Sequence, residues 1–184
     1  MITEPDALLM AAASGDLSAQ DMLIRSYQRR IAGFVIAQTG RQDAVEDLCQ
    51  IILLKMLAQL PRLKAYGKFD QWLFRIARNA CLDFFRREKW RRFLMPWESS
   101  HQEVAEAPPS ARREINGLWE ALQKLPASQR ELLVLLQEGE WSYDDLARMT
   151  GSTVSAVKSK LKPGRMFGGA FSSGLNPNRN PSSA

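Results

Sequence analysis

The sequence predicts an all-α protein made of two small helical modules joined by a flexible linker. Three observations carry this. No stretch sustains the period-two alternation of a half-buried strand. Helix punctuation recurs along the chain: cap residues, acids in first turns, and glycine or proline at ends. Residues 95–112 then break the pattern with Met95-Pro96, Ser99-Ser100, Pro108-Pro109-Ser110 and several glutamates, a linker composition. The break leaves one helical part over about 1–94 and another over about 113–165.

The elements follow in order. Thr3-Glu4-Pro5-Asp6 opens a short helix that runs to Ser14 and closes at Gly15. Ser18 with Asp21 is expected to cap the next helix. Its apolar positions Leu23, Tyr27, Ile31, Phe34 and Val35 keep a 3.6-residue period until Gly40. A third helix is expected to start near Asp43, with Asp43, Glu46 and Asp47 at its positive end and Val45, Leu48, Ile52, Met56 and Leu60 as its stripe, ending at Pro61. After a loop, Arg62–Lys68, Phe69-Asp70 opens a long helix from Gln71 to about Arg92. Trp72, Leu73, Ile76, Ala80 and Phe84 form one side of it, while Arg75, Arg78, Arg86, Arg87 and Lys89 project elsewhere.

The second part starts with an amphipathic helix (Ile115, Leu118, Trp119, Leu122, Leu125) stopped at Pro126. Ser128–Glu131 reads as a capping box heading an apolar helix that ends near Gly139. Ser142–Asp145 repeats the device before a short helix to Thr150, Gly151 makes a turn, and Thr153 caps a last helix from Val154. From Pro163 the chain is rich in Gly, Ser, Asn and Pro, a composition expected to be disordered.

Composition narrows the chemistry. The 184 residues hold two cysteines, Cys49 and Cys81, and one histidine, His101. A zinc site needs about four N/S ligands at close spacing, and His- or Cys-dependent catalysis has little support. No catalytic residue, metal or cofactor is expected. No apolar run reaches the roughly 18 residues of a membrane span, and the acidic opening lacks the basic front of a secretory signal, so a cytoplasmic protein without membrane contact is expected. Net charge is +5, unevenly spread. Residues 61–95 carry ten Lys/Arg against three Asp/Glu, residues 96–140 four against eight, and residues 141–184 six against two. Two basic blocks suggest two surfaces that meet a polyanion.

Each block has a pattern. Residues 146–161 fit a helix-turn-helix: small Ala147 where two helices approach, Gly151 where the turn needs positive φ, and Val154, Val157 and Leu161 as anchors. The free face, Ser155, Lys158, Ser159 and Lys162, suits the major groove. In residues 66–79, aromatics interleave with Arg and Lys beside a glycine-bearing loop, which suits single-stranded DNA. Trp72 lies on the apolar stripe, which favours a core position. Arg75, Arg78 and Asn79 stand off it, which favours nucleic-acid contact.

Four stretches in this order, Asp43–Gln50, Phe69–Ala80, Leu125–Leu133 and the helix-turn-helix ending Val157-Lys158-Ser159-Lys160-Leu161, resemble the extracytoplasmic-function sigma factors of the sigma-70 family. The resemblance implies sigma region two over residues 5–94, a linker over 95–112, sigma region four over 113–165, and a tail over 166–184. It implies a transcription initiation factor, not an enzyme, monomeric when free, that binds core RNA polymerase and promoter DNA and is held inactive by an anti-sigma factor. Core polymerase contact is implied for Asp43, Glu46, Asp47, Gln50, Leu53 and Lys55. Minus-ten contact is implied for Lys64, Tyr66, Lys68, Phe69, Trp72, Arg75, Arg78, Asn79, Arg86 and Arg87. Minus-thirty-five contact is implied for Thr153, Ser155, Lys158, Ser159, Lys162 and Arg165. Two departures stand out. Ile51 follows Gln50 where the family usually has an acid. Pro163-Gly164 follows Lys162, so the last helix is expected to stop about two turns early. That leaves open a weakened upstream grip or a tail read in an altered frame. An autonomous helix-turn-helix regulator and a helical adaptor are the competing readings.

Overall fold

A computed structural model describes residues 4–94, 122, 124–139 and 141–162. Among these residues there are helices, turns and no strand. The chain divides into two compact units, Met1–Glu114 and Ile115–Ala184. The linker over 95–112, the tail over 166–184 and most of the helix expected from Ile115 lie outside the described residues.

The N-terminal unit holds α1 (Glu4–Ala13), α2 (Leu17–Thr39), α3 (Val45–Gln59) and α4 (Phe69–Leu94). Its core is Leu23, Ile31, Phe34 and Val35 from α2, Leu48, Ile52 and Met56 from α3, and Leu73, Phe74 and Ala77 from α4, all buried. The 3.6-residue period of each stripe is what lets three helices share one core. The cap of α2 differs from expectation. Asp16, not Ser18, accepts the Ala19 N–H at 3.1 Å, while Asp21 turns outward to Arg25 at 2.8 Å. Asp43 likewise lies before α3, which begins at Val45 behind Ala44.

In the C-terminal unit α5 is Ala127–Glu138, α6 Tyr143–Thr150 and α7 Val154–Lys160. Ser128 is not a cap. The helix starts one residue earlier behind Pro126, whose carbonyl accepts Gln129 N–H at 2.8 Å and Arg130 N–H at 3.1 Å. Leu132, Leu135, Leu146 and Val157 make the core. Trp141 ties α5 to α6: its Nε1 donates to the Leu135 carbonyl at 2.5 Å, and its indole packs close against Gly139. A Cβ at Gly139 would meet the ring at 2.6 Å, so glycine is needed here for close approach. Gly139→Ala is expected to cost about 1–3 kcal/mol of unfolding free energy, the usual range for overpacking. Urea unfolding of the variant checks this, and a change below about 0.5 kcal/mol would mean that the indole does not hold this position.

Both cysteines, Cys49 and Cys81, are free and buried. Burial raises the pKa of the Cys49 thiol above its ordinary value, so it stays neutral and packs as a small apolar side chain.

Candidate nucleic-acid interface

The loop between α3 and α4 hangs between two buried anchors, Leu60 and Phe69. Two single 3-10 turns shape it, Leu60–Arg62 with Pro61 in its first positions and Tyr66–Lys68 running into α4. A cleft of about 440 Å³ opens between the loop and the first turns of α4, lined by Gln59, Arg62, Leu63, Lys64, Trp72 and Arg75. One aromatic wall and three cations are what an unstacked base with its flanking phosphates would need.

Trp72 is therefore not a core residue. It is half-buried and forms the wall of the cleft. Phe69 is the buried one, 3% exposed, with its ring between Tyr27 (5.2 Å) and Trp72 (5.5 Å). It backs the wall and cannot itself meet a strand. Lys64, Lys68, Arg75, Asn79, Arg86 and Arg87 are exposed, and Tyr66 is half-buried. Arg78 is half-buried and has a contact within the protein. Arg75, Asn79 and Arg86 follow helical spacing on the outer face of α4, over about 16 Å at 1.5 Å per residue. Arg86 pairs with Asp83 at 3.0 Å. Gln59 and Leu63 escape sequence periodicity because only the fold brings the end of α3 to Trp72.

On α3, Glu46, Asp47 and Gln50 are exposed, and Leu53 and Lys55 are half-buried. Leu54, 60% exposed, joins the Gln50 face one turn on. Asp43 faces an internal partner: Arg41 donates to both of its oxygens, at 2.8 and 2.6 Å. The same guanidinium reaches Glu88 of α4 at 3.3 Å and lies 5.9 Å from the Phe84 ring centre. The Arg41 hydrogen bonds hold the Asp43 carboxyl below the usual carboxylate range.

In the C-terminal unit, Ser142 and Asp145 form a reciprocal capping box: Asp145 N–H donates to Ser142 Oγ at 3.1 Å and Ser142 N–H to Asp145 Oδ2 at 3.1 Å. Gly151 takes the left-handed φ of 64° that turns α6 into α7. Thr153 Oγ1 caps α7 by accepting Ala156 N–H at 3.2 Å. Ala147, Val157 and Leu161 are buried, whereas Val154 is half-buried. Thr153, Ser155, Lys158 and Lys162 are exposed, and Ser159 is half-buried. Lys158 Nζ sits 5.5 Å from the Tyr143 ring centre, within cation–π range. The helix ends at Lys160 with Leu161 as its C-cap, already before Pro163. Arg165 lies outside the described residues.

Among the described residues, no cluster of three or more His, Cys, Asp or Glu could hold a metal ion, and no helix is long and apolar enough to cross a membrane.

Comparison with known proteins adds the following. Residues 23–91 match the family described as Sigma-70 region 2, and residues 115–167 match Sigma-70, region 4. The ECF RNA polymerase sigma factor EcfG of Rhodopseudomonas palustris is 31% identical over 137 residues, 73% of this chain and 75% of that one. The ECF sigma factor SigM of Mycobacterium tuberculosis is 30% identical over 158 residues, 86% of this chain and 79% of that one. Two solved structures, each 24% identical, share the fold. CnrH in complex with the cytosolic domain of CnrY has a TM-score of 0.61 and covers 84% of this chain and 88% of that one. RpoE in complex with the anti-sigma factor NepR from Bartonella quintana has a TM-score of 0.63 and covers 77% and 88%.

Proposed function

The chain belongs to the sigma-70 family of RNA polymerase sigma factors, on its extracytoplasmic-function branch, and on that premise we propose how its surfaces divide the work of initiation. The exposed face of α3, Glu46, Asp47, Gln50 and Leu54 with Leu53 and Lys55 at its margin, docks on core RNA polymerase. Asp43 contributes through Arg41. The cleft takes an unpaired base of the minus-ten element, while Lys64, Lys68, Arg75, Asn79, Arg86 and Arg87 follow the strand. Ser155, Lys158, Ser159 and Lys162 of α7 enter duplex DNA at the minus-thirty-five element. The working boundaries are 5–94 for region two, 95–112 for the linker, 113–165 for region four and 166–184 for the tail. The chain acts in the cytoplasm, where polymerase and chromosome are, and adds no catalysis of its own.

The cleft is the observation that carries this reading. A wall of tryptophan ringed by Arg62, Lys64 and Arg75 has no role in a free-standing helix-turn-helix regulator or an adaptor, and that cleft lies inside the region-two match. Control by an anti-sigma factor is part of the same proposal. RpoE, which has this fold, was solved bound to one.

The test is transcription in vitro with purified core polymerase over a library of promoters, with the chain present or absent. Transcripts that depend on the chain are expected. Combining Arg75→Ala with Asn79→Ala should reduce open complexes roughly tenfold and lower the salt dependence of promoter binding by about one phosphate contact. Core polymerase affinity should stay within about twofold. Equal loss of opening and polymerase binding would refute this division of labour.

A further inference from the structure

The cleft wall is tied to α2 by three side chains that touch no part of the cleft. Asp70 is the second residue of α4, directly after the buried anchor Phe69. Its carboxylate accepts a short hydrogen bond from the Tyr27 hydroxyl and one from each terminal nitrogen of Arg30, both at 3.1 Å. The Arg30 guanidinium lies 5.1 Å from the ring centres of both Tyr27 and Phe74. From Tyr27 a chain of ring contacts runs outward: its edge meets Phe69 at 5.2 Å, and Phe69 meets Trp72 at 5.5 Å. Tyr27 and Arg30 are one turn apart on α2, so they present one face to α4.

Burial and the Asp70 carboxylate raise the pKa of the Tyr27 hydroxyl well above its ordinary value. It therefore remains a hydrogen-bond donor throughout the physiological range. Beside it, both terminal nitrogens of Arg30 converge on Asp70 Oδ2 while the Tyr27 hydroxyl takes Oδ1, so both carboxylate oxygens are held from α2. The first turn of α4 thus cannot roll about its axis without breaking charge-assisted bonds and ring contacts together. That turn carries Trp72. The residues between Leu60 and Phe69 are exposed or half-buried, and both 3-10 turns of the loop lie against α1.

We propose that Tyr27, Arg30 and Asp70 are positioning residues for the cleft: by locking the first turn of α4 they hold Trp72 ready for an unpaired base, so that capture costs little reorganisation. This deepens the minus-ten reading and rests on it. A role confined to stability would make the same residues matter for unfolding but not for how well a base is distinguished from its absence.

The experiment uses the chain assembled with core polymerase. Fluorescent single-stranded oligonucleotides with the non-template minus-ten sequence of a responsive promoter are titrated, either intact or abasic at one position in turn. The largest ratio of intact to abasic affinity marks the captured base. For the unaltered protein that ratio is expected at roughly 5- to 150-fold, the worth of one aromatic–base contact. Asp70→Asn and Arg30→Met should each bring it to within about threefold of unity and leave affinity for the abasic strand unchanged. Arg30→Lys, which keeps the charge and loses the fork, should give an intermediate ratio. Tyr27→Phe keeps every ring contact and loses only the hydroxyl, so it guards against misfolding; its ratio should fall at least about threefold. Variants that unfold at lower urea with the ratio intact would overturn the proposal and spare the cleft. A ratio of one in the unaltered protein would overturn the cleft reading and this inference with it.

Discussion

Phe74→Ala is expected to remove about 3–5 kcal/mol from the N-terminal unit, the cost of emptying a large aromatic from a packed interior. The ring is 0% exposed. It meets Phe34 edge-on at 5.4 Å, and the Arg30 guanidinium lies 5.1 Å from its centre. Truncation therefore opens a cavity between α2 and α4 and also strips the apolar support from a partly buried cation. A small domain has a total stability of about 5–15 kcal/mol, so the loss is a large share of it. With a urea slope of about 1–3 kcal/mol per molar, the midpoint should fall by about 2 M when helix content is followed by circular dichroism. Leu82 is the control: it is 37% exposed on the same helix, and Leu82→Ala should change stability by no more than about 0.5 kcal/mol. Equal effects from the two substitutions would mean that α4 does not present the Phe74 face to α2.

That contrast also marks how far the sequence could be read. Phe34, Ile52, Leu73 and Ile76 fall on stripes whose period alone assigns them inward, and the structure buries them all. The helix-turn-helix was equally legible because its determinants are local: Ser142 with Asp145, Gly151, and Thr153 with Ala156 act across three or four residues. Cap positions failed where several candidates crowd one window. Asp16 precedes Ser18, and Pro126 precedes Ser128; in each case the earlier residue turns the chain first. Trp72 failed for another reason. A hydrophobic period assigns a residue to a side of the helix, and the edge of that side can be a core or the wall of a cleft. The ties that decide the cleft's shape are remote in sequence. Tyr27 and Asp70 are 43 residues apart, and Arg41 and Glu88 are 47 apart, so no local pattern announces them.

Trp72→Ala is expected to lower open-complex formation by roughly 5- to 150-fold, the range for losing one aromatic–base stack. Core polymerase affinity should hold within about twofold, because Glu46, Asp47, Gln50 and Leu54 lie on a different helix. Arg62, Lys64 and Arg75 remain in the cleft, so electrostatic attraction to the strand persists and the salt dependence of binding should change little. Trp72→Phe keeps a π-face and should recover most of the activity. The decisive comparison is a template already unpaired across the minus-ten element. If Trp72 works by holding a base that has left the duplex, Trp72→Ala should weaken the complex with that template about as much as the complex with duplex DNA. A defect confined to duplex DNA would instead place the role of Trp72 in strand separation itself. Opening at the unaltered rate on duplex DNA would remove Trp72 from promoter melting, since Arg62, Lys64 and Arg75 would then suffice without the wall they surround.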